Sequence, residues 1–434
     1  MARLLTRRAP NGGRNMRHRQ LGSYTDAVRW IVALLGLIAA GAVAQSLEPG
    51  TPLVPPPAGT QSIEIIHADA PVFLAPQRGA TRRGTLARGA RFPVLRRVAG
   101  SGCSTNSWVE FTQGTYVCEG DVRFTRSAPR TEPQPQMAEG DILPHDYAFV
   151  GFDGTRAFAH PSDYFADQYL EALGEGFGVI VTGQTVYEGI PFVRTRRRVY
   201  IEANQVRHAR GSQFEGVELV DGVLDVAWVK PRSAGVYERR SGRIARRAGK
   251  REVVHVVGTQ RGWAELADGT WMRERDLAIA RREPRPEAIP EHATWMDVDV
   301  DAQILVAYRG ETPTFATLVS TGRPGRHHET PPGVHRIWVK LAFSDMDNLE
   351  RDDVETNYAI ERVPWVQYFE GSNGLHAAFW HDEFGRRKSH GCVNLSPRDA
   401  RTLFDLSEPQ LPSGWTAIFP RPAGEEPATY VHVR

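Results

Sequence analysis

The chain has 434 residues, too many for one ordinary core, so it is expected to fold as two to four domains. Its composition, 41% hydrophobic and 24% charged, is that of a soluble globular protein. The formal net charge is only +2 and the arginines are spread along the chain, which excludes the concentrated basic surface of a nucleic-acid-binding protein.

The N-terminus has the pattern of a secretory signal peptide. Arg19 and Arg29 precede an apolar run, Trp30–Ala44, which ends in the small-residue triplet Ala42-Val43-Ala44. The run is shorter than the ~20 apolar residues of a membrane-spanning helix, so residues 1–44 are interpreted as a signal peptide and an uncleaved anchor is the alternative. We therefore expect export to the periplasm or cell envelope, with membrane contact only if this segment is retained.

Export changes how the three cysteines are interpreted, because an oxidising compartment favours pairing. Cys103 and Cys118 form the natural pair, 15 positions apart. The chain-entropy model values such a crosslink at ~3 kcal/mol. Cys392 is then the unpaired thiol. If it has no chemical role, it is expected to be a buried apolar side chain.

An internal repeat indicates small β modules after the signal peptide. Ser107–Phe111 followed by Gly114–Tyr116 matches Gly262–Leu266 followed by Gly269–Trp271, with identical spacing from tryptophan to the second aromatic residue. A weaker third copy is Tyr200–Val206. Alternating apolar residues with glycine turns predict short antiparallel strands, and these segments resemble bacterial SH3-like domains.

Turn-rich breaks predict the order of the modules. In the second module, Phe165, Tyr169 and Leu173 recur at i, i+4 and i+8 after Ser162, which predicts one α-helix ending at Gly174. We expect a Pro-rich linker at 45–61, a first, SH3-like module at 62–126, a second module at 138–216 with one helix and a degenerate SH3-like barrel, a third, SH3-like module at 217–281, a last domain at 292–420 and a C-terminal tail at 421–434.

The last domain opens with strand patterns at Trp295–Val300, Gln303–Tyr308 and Thr314–Ser320, joined by tight turns. Near its end, Ser396–Asp399 forms a capping box with proline at the first helical position. The predicted fold class is therefore mainly β, with a late short helix in the last domain and two or three small SH3-like barrels before it.

The residues around Cys392 suggest nucleophilic chemistry. A thiol is mostly protonated at neutral pH, so a nucleophilic cysteine needs a base or a cation nearby. Histidine can supply either, and His376, His381 and His390 all lie within 16 positions of Cys392. Gly391 permits close backbone approach, so N–H groups beside Cys392 are expected to form an oxyanion hole.

A histidine followed by Ser-His-Gly-Cys-Val-Asn resembles the signature of the L,D-transpeptidase catalytic domain. Ser320–Gly322 and Thr330–Val334 add further matches, within a span from about Trp295 to Pro420. The resemblance implies that Cys392 is the acylated nucleophile and that His376 is the general base.

The same resemblance assigns the remaining site residues. It places His390 beside the oxyanion pocket, Ser389 and Gly391 in the pocket lining, and Asn394 at the end of the signature. The interval from His376 to Ser389 is shorter than usual in the family, which leaves His381 as an alternative base or a supporting residue. Four residues are expected to contact substrate: Asn394, His381, Trp380 in the pocket wall and Arg387 against an anionic peptide.

The implied reaction is attack by Cys392 on the amide after the third residue of a peptidoglycan stem tetrapeptide, releasing D-alanine and leaving a thioester. An amine from a second stem resolves the thioester during cell-wall remodelling, so stem peptides are the expected donor and acceptor. Water as acceptor would make the same site an L,D-carboxypeptidase. No cofactor or metal is expected.

Two other classes compete with this interpretation. A zinc hydrolase could use His376, His381, His390 and Cys392 as ligands, although no carboxylate stands at a recognisable catalytic spacing. A non-catalytic scaffold that binds the cell wall through its small barrels is the other alternative, and the complete His-Gly-Cys constellation argues against it. A chelator and a thiol-reactive probe separate these alternatives from cysteine chemistry.

Overall fold

The computed structural model describes residues 48–325, 328–349 and 357–434, and its regular structure is almost entirely β. The mainly β class predicted from sequence is therefore confirmed, together with one α-helix late in the described part of the chain. No helix in the described ranges is long and apolar enough to cross a membrane. The signal peptide predicted at 1–44 lies outside the described residues.

The first module is an antiparallel β structure whose core includes Val72, Leu86 and Val109. Cys103 and Cys118 form the expected disulfide, with Cα atoms 5.5 Å apart. Its strands are β1 Ser62–Ile65, β2 Ala70–Phe73, β3 Arg82–Leu86, β4 Arg91–Phe92, β5 Arg96–Ala99, β6 Ser107–Thr112, β7 Thr115–Cys118 and β8 Val122–Thr125.

The second module is also antiparallel, and its core is aliphatic, with Val179, Val193 and Ile201 buried. Its strands are β9 Asp146–Val150, β10 Thr155–Ala157, β11 Glu171–Leu173, β12 Gly178–Tyr187, β13 Ile190–Thr195, β14 Tyr200–Glu202 and β15 Val206–His208.

The helix predicted after Ser162 is wrong. Pro161–Tyr164 forms only a 3-10 turn, and Asp167 has a φ of +52°, which ends helical geometry. Leu173 belongs to β11, which pairs with β10, so its side chain is buried in a sheet instead of on a helix face. The i, i+4, i+8 spacing was therefore coincidental, and Gly174 ends no helix.

The third module repeats the first in outline. Its strands are β17 Val226–Val229, β18 Ser233–Tyr237, β19 Ile244–Gly249, β20 Val253–Gln260, β21 Trp263–Leu266, β22 Trp271–Arg273 and β23 Leu277–Ile279. In each module a strand leads through a 3-10 turn into the closing strand, at Glu119–Asp121, Ala203–Gln205 and Glu274–Asp276. The internal repeat is thus present in the structure, while SH3-like identity stays a prediction.

The C-terminal domain packs two sheets and one helix around Met296, Leu375 and Leu403. Its elements are β24 Thr294–Asp299, β25 Ile304–Arg309, β26 Thr312–Leu318, β27 Gly333–Arg336, β28 Val339–Asp347, β29 Ala359–Glu370, β30 Asn373–Ala377, β31 Val393–Leu395, α1 Pro397–Leu406, β32 Trp415–Ile418 and β33 Thr429–Val433. Helix α1 begins as predicted, because the Ser396 hydroxyl accepts a hydrogen bond from the Asp399 N–H at 3.1 Å.

Two predicted boundaries are wrong. Residues 421–434 are no tail, because β33 lies between β24 and β27 and buries Val431 and Val433 in the domain core. Similarly, Val217–Glu218 (β16) pairs with β26 of the C-terminal domain, so the third module begins only at β17. Both errors arise because pairing partners distant in sequence decide where a short strand belongs.

The first two modules continue a sheet of the C-terminal domain. Strand β3 pairs with β32, and β12 meets β29 at Gly178 and Ile360. One 15-stranded sheet therefore runs from the first module through the C-terminal domain to the second module. The second module is placed beside β29, which pairs in turn with β30, the strand that carries His376.

Candidate active site

Cys392 lies in a tight turn that leads into β31. The Ser389 hydroxyl donates to the Cys392 carbonyl oxygen and accepts a hydrogen bond from the Gly391 N–H at 3.1 Å. Gly391 has a φ of +125°, and a Cβ at this position would collide with the Asn373 carboxamide oxygen. Glycine is therefore required here both by backbone conformation and by the close approach of Asn373.

The Gly391 N–H does not point freely into the cleft. Its hydrogen bond to Ser389 occupies it in this structure, which differs from the expectation that it lines an oxyanion pocket. Ser389 and Gly391 instead fix the shape of the turn that presents the Cys392 side chain.

His376 approaches Cys392 from the neighbouring strand. Strands β30 and β31 are parallel, and His376 lies opposite Asn394, two positions beyond Cys392. The imidazole is 2% exposed, and Nδ1 donates to the Ala377 carbonyl oxygen at 3.1 Å. Burial lowers the pKa of His376 to about 4, so the ring is neutral at physiological pH with its lone pair on Nε2.

The Cys392 thiol is held in its protonated form. Burial raises the pKa of Cys392 to about 11, against the smaller opposing effect of the Gly374 backbone N–H. The sulfur lies 3.7 Å from the Ser372 carbonyl oxygen, to which the thiol donates. Cys392 and His376 are therefore both neutral, and not a preformed thiolate and imidazolium.

His381 lies behind Asn394 and supports it. Its Nε2 is 3.1 Å from the Asn394 amide nitrogen, and its Nδ1 accepts a hydrogen bond from the Glu383 N–H at 3.2 Å. Burial lowers the pKa of His381 to about 4, with Lys388 adding to the effect. Asn394 lines the cleft whereas His381 does not, so the structure favours a supporting role for His381 over the predicted roles of alternative base and substrate contact.

His390 lies on the exposed side of the cleft. Its Nε2 accepts a hydrogen bond from the Arg323 guanidinium at 2.6 Å, and its ring contacts those of His328 and Tyr358 at centroid distances of 4.8 and 5.7 Å. Trp380, predicted in the pocket wall, does line the cleft, and its ring lies 5.7 Å from that of His376.

Arg387 does not reach the cleft, so its predicted substrate contact is wrong. Its guanidinium donates to the Asp301 carboxylate at 2.7 Å and to the Val300 carbonyl oxygen at 3.1 Å, in the turn between β24 and β25. These hydrogen bonds hold the Arg387 side chain on the turn that contains Asp301. The neighbouring Lys388 lines the cleft instead and pairs with Glu383 at 2.9 Å.

The cleft has a volume of about 870 Å³ and is built from distant parts of the chain. His376, Ser389, Cys392 and Asn394 occupy one side. Residues from other segments that no sequence motif predicted also line it: Phe149, Arg207 and Arg210 from the second module, Asp345 and Asp347 from β28, Tyr358 just before β29, and Asn373 at the start of β30. No local motif marks these residues, because only the tertiary arrangement brings them together.

The four ligands of the zinc alternative make separate contacts. His376 bonds to Ala377, His381 to Asn394 and Glu383, and His390 to Arg323. Across the ranges that the structure describes, no three His, Cys, Asp or Glu side chains are grouped so that they could hold a metal ion.

Residues 293–416 match the family model of YkuD, the L,D-transpeptidase catalytic domain. The resemblance predicted from the residues around Cys392 is thereby confirmed for this part of the chain. The matched range contains β24 to β31, α1 and every residue predicted for the site, while the three modules lie outside it.

Solved L,D-transpeptidases are among the matching structures. A mutant Enterococcus faecium L,D-transpeptidase is 24% identical, with 33% of this chain and 50% of that chain covered and a TM-score of 0.25. The catalytic domain from E. faecium is 25% identical, with 33% and 98% covered and a TM-score of 0.25. The Mycobacterium smegmatis L,D-transpeptidase is 14% identical, with 56% and 90% covered and a TM-score of 0.25. The chain thus spans about half the length of the first of these, and no curated protein matches it.

Proposed function

We propose that the C-terminal domain is a peptidoglycan L,D-transpeptidase that acts through a thioester on Cys392. The observation that carries the proposal is the position of Cys392 and His376 on adjoining segments of one cleft, inside the range that matches the family model. Stem peptides of peptidoglycan are the proposed donor and acceptor.

Because Cys392 is a thiol and His376 is a neutral imidazole, the proposed reaction begins with transfer of the thiol proton to His376. Because Ala377 holds the proton of His376 on Nδ1, Nε2 is free to take the thiol proton as the sulfur attacks the amide after the third stem residue. The carbon–nitrogen bond then breaks, His376 returns the proton to the departing D-alanine amine, and a thioester remains on Cys392.

The second half of the reaction reverses these roles. An amine from a second stem attacks the thioester and gives its proton to His376, the carbon–sulfur bond breaks, and the proton returns to the Cys392 sulfur. Water in place of the amine would yield a free tripeptide, the carboxypeptidase outcome. Ser389 contributes by fixing the Cys392 turn, and Asn394, supported by His381, contributes a polar group to the cleft.

We further propose that the protein is exported and works in the periplasm or cell envelope. The disulfide between Cys103 and Cys118 supports this, since such crosslinks persist in oxidising compartments. Fractionation of cells with an antibody to the chain tests the location, and N-terminal sequencing of the recovered protein tests cleavage after Ala44.

The activity is tested by incubating the purified protein with a disaccharide tetrapeptide and following the products by mass spectrometry. The proposal predicts cross-linked dimer and released D-alanine, both absent with Cys392→Ala. Tripeptide without dimer would replace transpeptidation with carboxypeptidation. Equal product from the Cys392→Ala variant would exclude Cys392 as the nucleophile, and no product from either protein would favour the scaffold alternative.

A further inference from the structure

The second module forms one wall of the active-site cleft. Phe149 from β9, Arg207 from β15 and Arg210 just beyond β15 line the same cavity as Cys392 and His376. Because Arg207 lies directly opposite Phe149 in the β9–β15 pair, their side chains project from the same face of the sheet. The Phe149 ring lies 5.9 Å from that of Phe379, so this face is turned toward the C-terminal domain.

This wall is fixed in place by a buried contact. Tyr147 is fully buried, stacks on Phe379 at a centroid distance of 4.1 Å, and donates from its hydroxyl to the Arg362 carbonyl oxygen at 2.7 Å. The same apolar cluster contains Ile180 of the second module and Val366 of β29. Phe379 is three residues from His376, so the second module is anchored directly beside the catalytic segment.

The two arginines carry charge that the described protein does not neutralise. Within 48–325, 328–349 and 357–434, neither Arg207 nor Arg210 has an ion-pair partner, and both side chains are exposed. Two other basic side chains that line the cleft do have acidic partners: His208 contacts Asp146 at 2.7 Å and Lys388 contacts Glu383 at 2.9 Å. A guanidinium presents several donors in a fork that matches a carboxylate.

We propose that Arg207 and Arg210 bind a carboxylate of the peptide substrate and so make the second module a specificity-determining wall of the active site. The substrate class rests on the proposed function, in which a peptide carrying several carboxylates enters this cleft. Asp345 and Asp347 line the cleft from β28, so a ligand with both a carboxylate and an amine finds complementary charges in it. The module therefore selects substrate as well as extending the sheet.

Binding is measured by calorimetry on the full-length chain carrying Cys392→Ala, which prevents turnover. One ligand is a stem tetrapeptide with free side-chain and α-carboxylates on its second and third residues. The other is the same peptide with those carboxylates converted to carboxamides. The double variant Arg207→Ala/Arg210→Ala should weaken binding of the acid about tenfold or more and leave binding of the amide unchanged, as expected when charge-assisted hydrogen bonds are lost.

The matched control is Arg123→Ala/Arg194→Ala, which removes two exposed guanidiniums outside the cleft, one of them at the equivalent closing strand of the first module. This control should bind both peptides normally, and thermal melting should show that all variants fold. The proposal would be overturned if the Arg207→Ala/Arg210→Ala variant bound the acid as tightly as the protein with both arginines, or if it lost the same affinity for both peptides. It would also be overturned if the protein with both arginines did not bind the acid.

Turnover by the protein with Cys392 intact decides the proposed function separately. Carboxylate-selective binding without turnover would support the basic wall while removing the enzyme assignment. Turnover with binding that ignores the two arginines would remove the wall and leave the enzyme.

Discussion

The closing strands of the three modules share a local structure but meet different surroundings. In the first module, Arg123 pairs with Glu64 of the same module at 2.7 Å. In the third, Ala278 takes the corresponding position and is buried. In the second, Arg207 faces the active-site cleft without an ion-pair partner in the described part of the chain. One backbone pattern therefore closes a module in two cases and builds a binding wall in the third.

The cores of the three modules also differ in their aromatic residues. Trp108 packs edge-on against Phe73 at 5.6 Å in the first module, and Trp263 packs edge-on against Tyr237 at 5.0 Å in the third. The second module, at 138–216, has no tryptophan, and the buried cluster around Val193 is aliphatic. Its Tyr147 instead packs outward against the C-terminal domain. The second module keeps internal aromatic contacts, from Tyr164 to Phe158 and Phe192 at 5.6 and 5.5 Å, and adds an aromatic contact with its neighbour.

The largest stability effect expected from this comparison is that of Trp108→Ala. Trp108 is fully buried, so truncation should lower the free energy of unfolding by about 3–5 kcal/mol. Trp263→Ala should act in the same direction on the third module. Denaturant titration followed by circular dichroism measures both. A loss under about 1 kcal/mol for Trp108→Ala would mean that the aromatic pair does not hold the first module together.

The disulfide distinguishes the first module from the third, which lacks cysteine. Replacing Cys103 and Cys118 together by serine should cost about 3 kcal/mol, because the crosslink restricts a loop of 15 positions in the unfolded chain. Urea unfolding with and without a reductant checks this. The reductant should destabilise the unsubstituted protein and leave the double variant unaffected, and an equal response from both would contradict the account.

A pH series tests the ionisation states beside the second module's wall. His376 is a base only when neutral, so the rate should fall as pH drops through about 4, losing about tenfold per unit below that value. Cys392 stays a thiol up to its pKa of about 11, so no second inflection is expected between pH 6 and 9. Initial rates on the disaccharide tetrapeptide measure this, and a rate that instead rises with a pKa near 8 would indicate an ordinary thiol.

The smallest effect is expected from Tyr147→Phe, which keeps the ring on Phe379 and removes only the hydroxyl bonded to Arg362. One buried hydrogen bond contributes about 1 kcal/mol. Tyr187→Phe is the control, because its hydroxyl makes no hydrogen bond in the described residues. Thermal unfolding compares the two. Equal melting temperatures would show that the hydroxyl does not help to anchor the second module.

Sequence patterns predicted the parts of this molecule that depend on neighbouring residues. The N-cap at Ser396, the strands of the repeat and the signature around Cys392 are all local, and each is present in the structure. The Asp399 carboxylate, expected to complete a capping box, instead accepts hydrogen bonds from the Gly216 N–H and the Thr317 hydroxyl. The failures involve distant partners. Arg387 is bound to Asp301 and not to the cleft, and the segment expected as a tail forms β33 between β24 and β27. Leu173, expected on a helix, lies in a strand that pairs with β10.

The binding wall could not be predicted for the same reason. Arg207 follows the same strand and 3-10 turn as Arg123, and nothing in its flanking residues distinguishes a surface ion pair from a cleft position. Contacts distant in sequence, among them Tyr147 on Phe379 and Gly178 of β12 against Ile360 of β29, place this strand beside the cleft that contains Cys392.

The central claim is that Cys392 carries the acyl group, and intact-protein mass spectrometry after brief exposure to a stem tetrapeptide tests it most directly. The account predicts an adduct with the mass of the tripeptide acyl group on the protein with Cys392, located to that residue by peptide mapping and absent from Cys392→Ala. An adduct that persists in Cys392→Ala, or product formed by the unsubstituted protein without any adduct under rapid quenching, would contradict it.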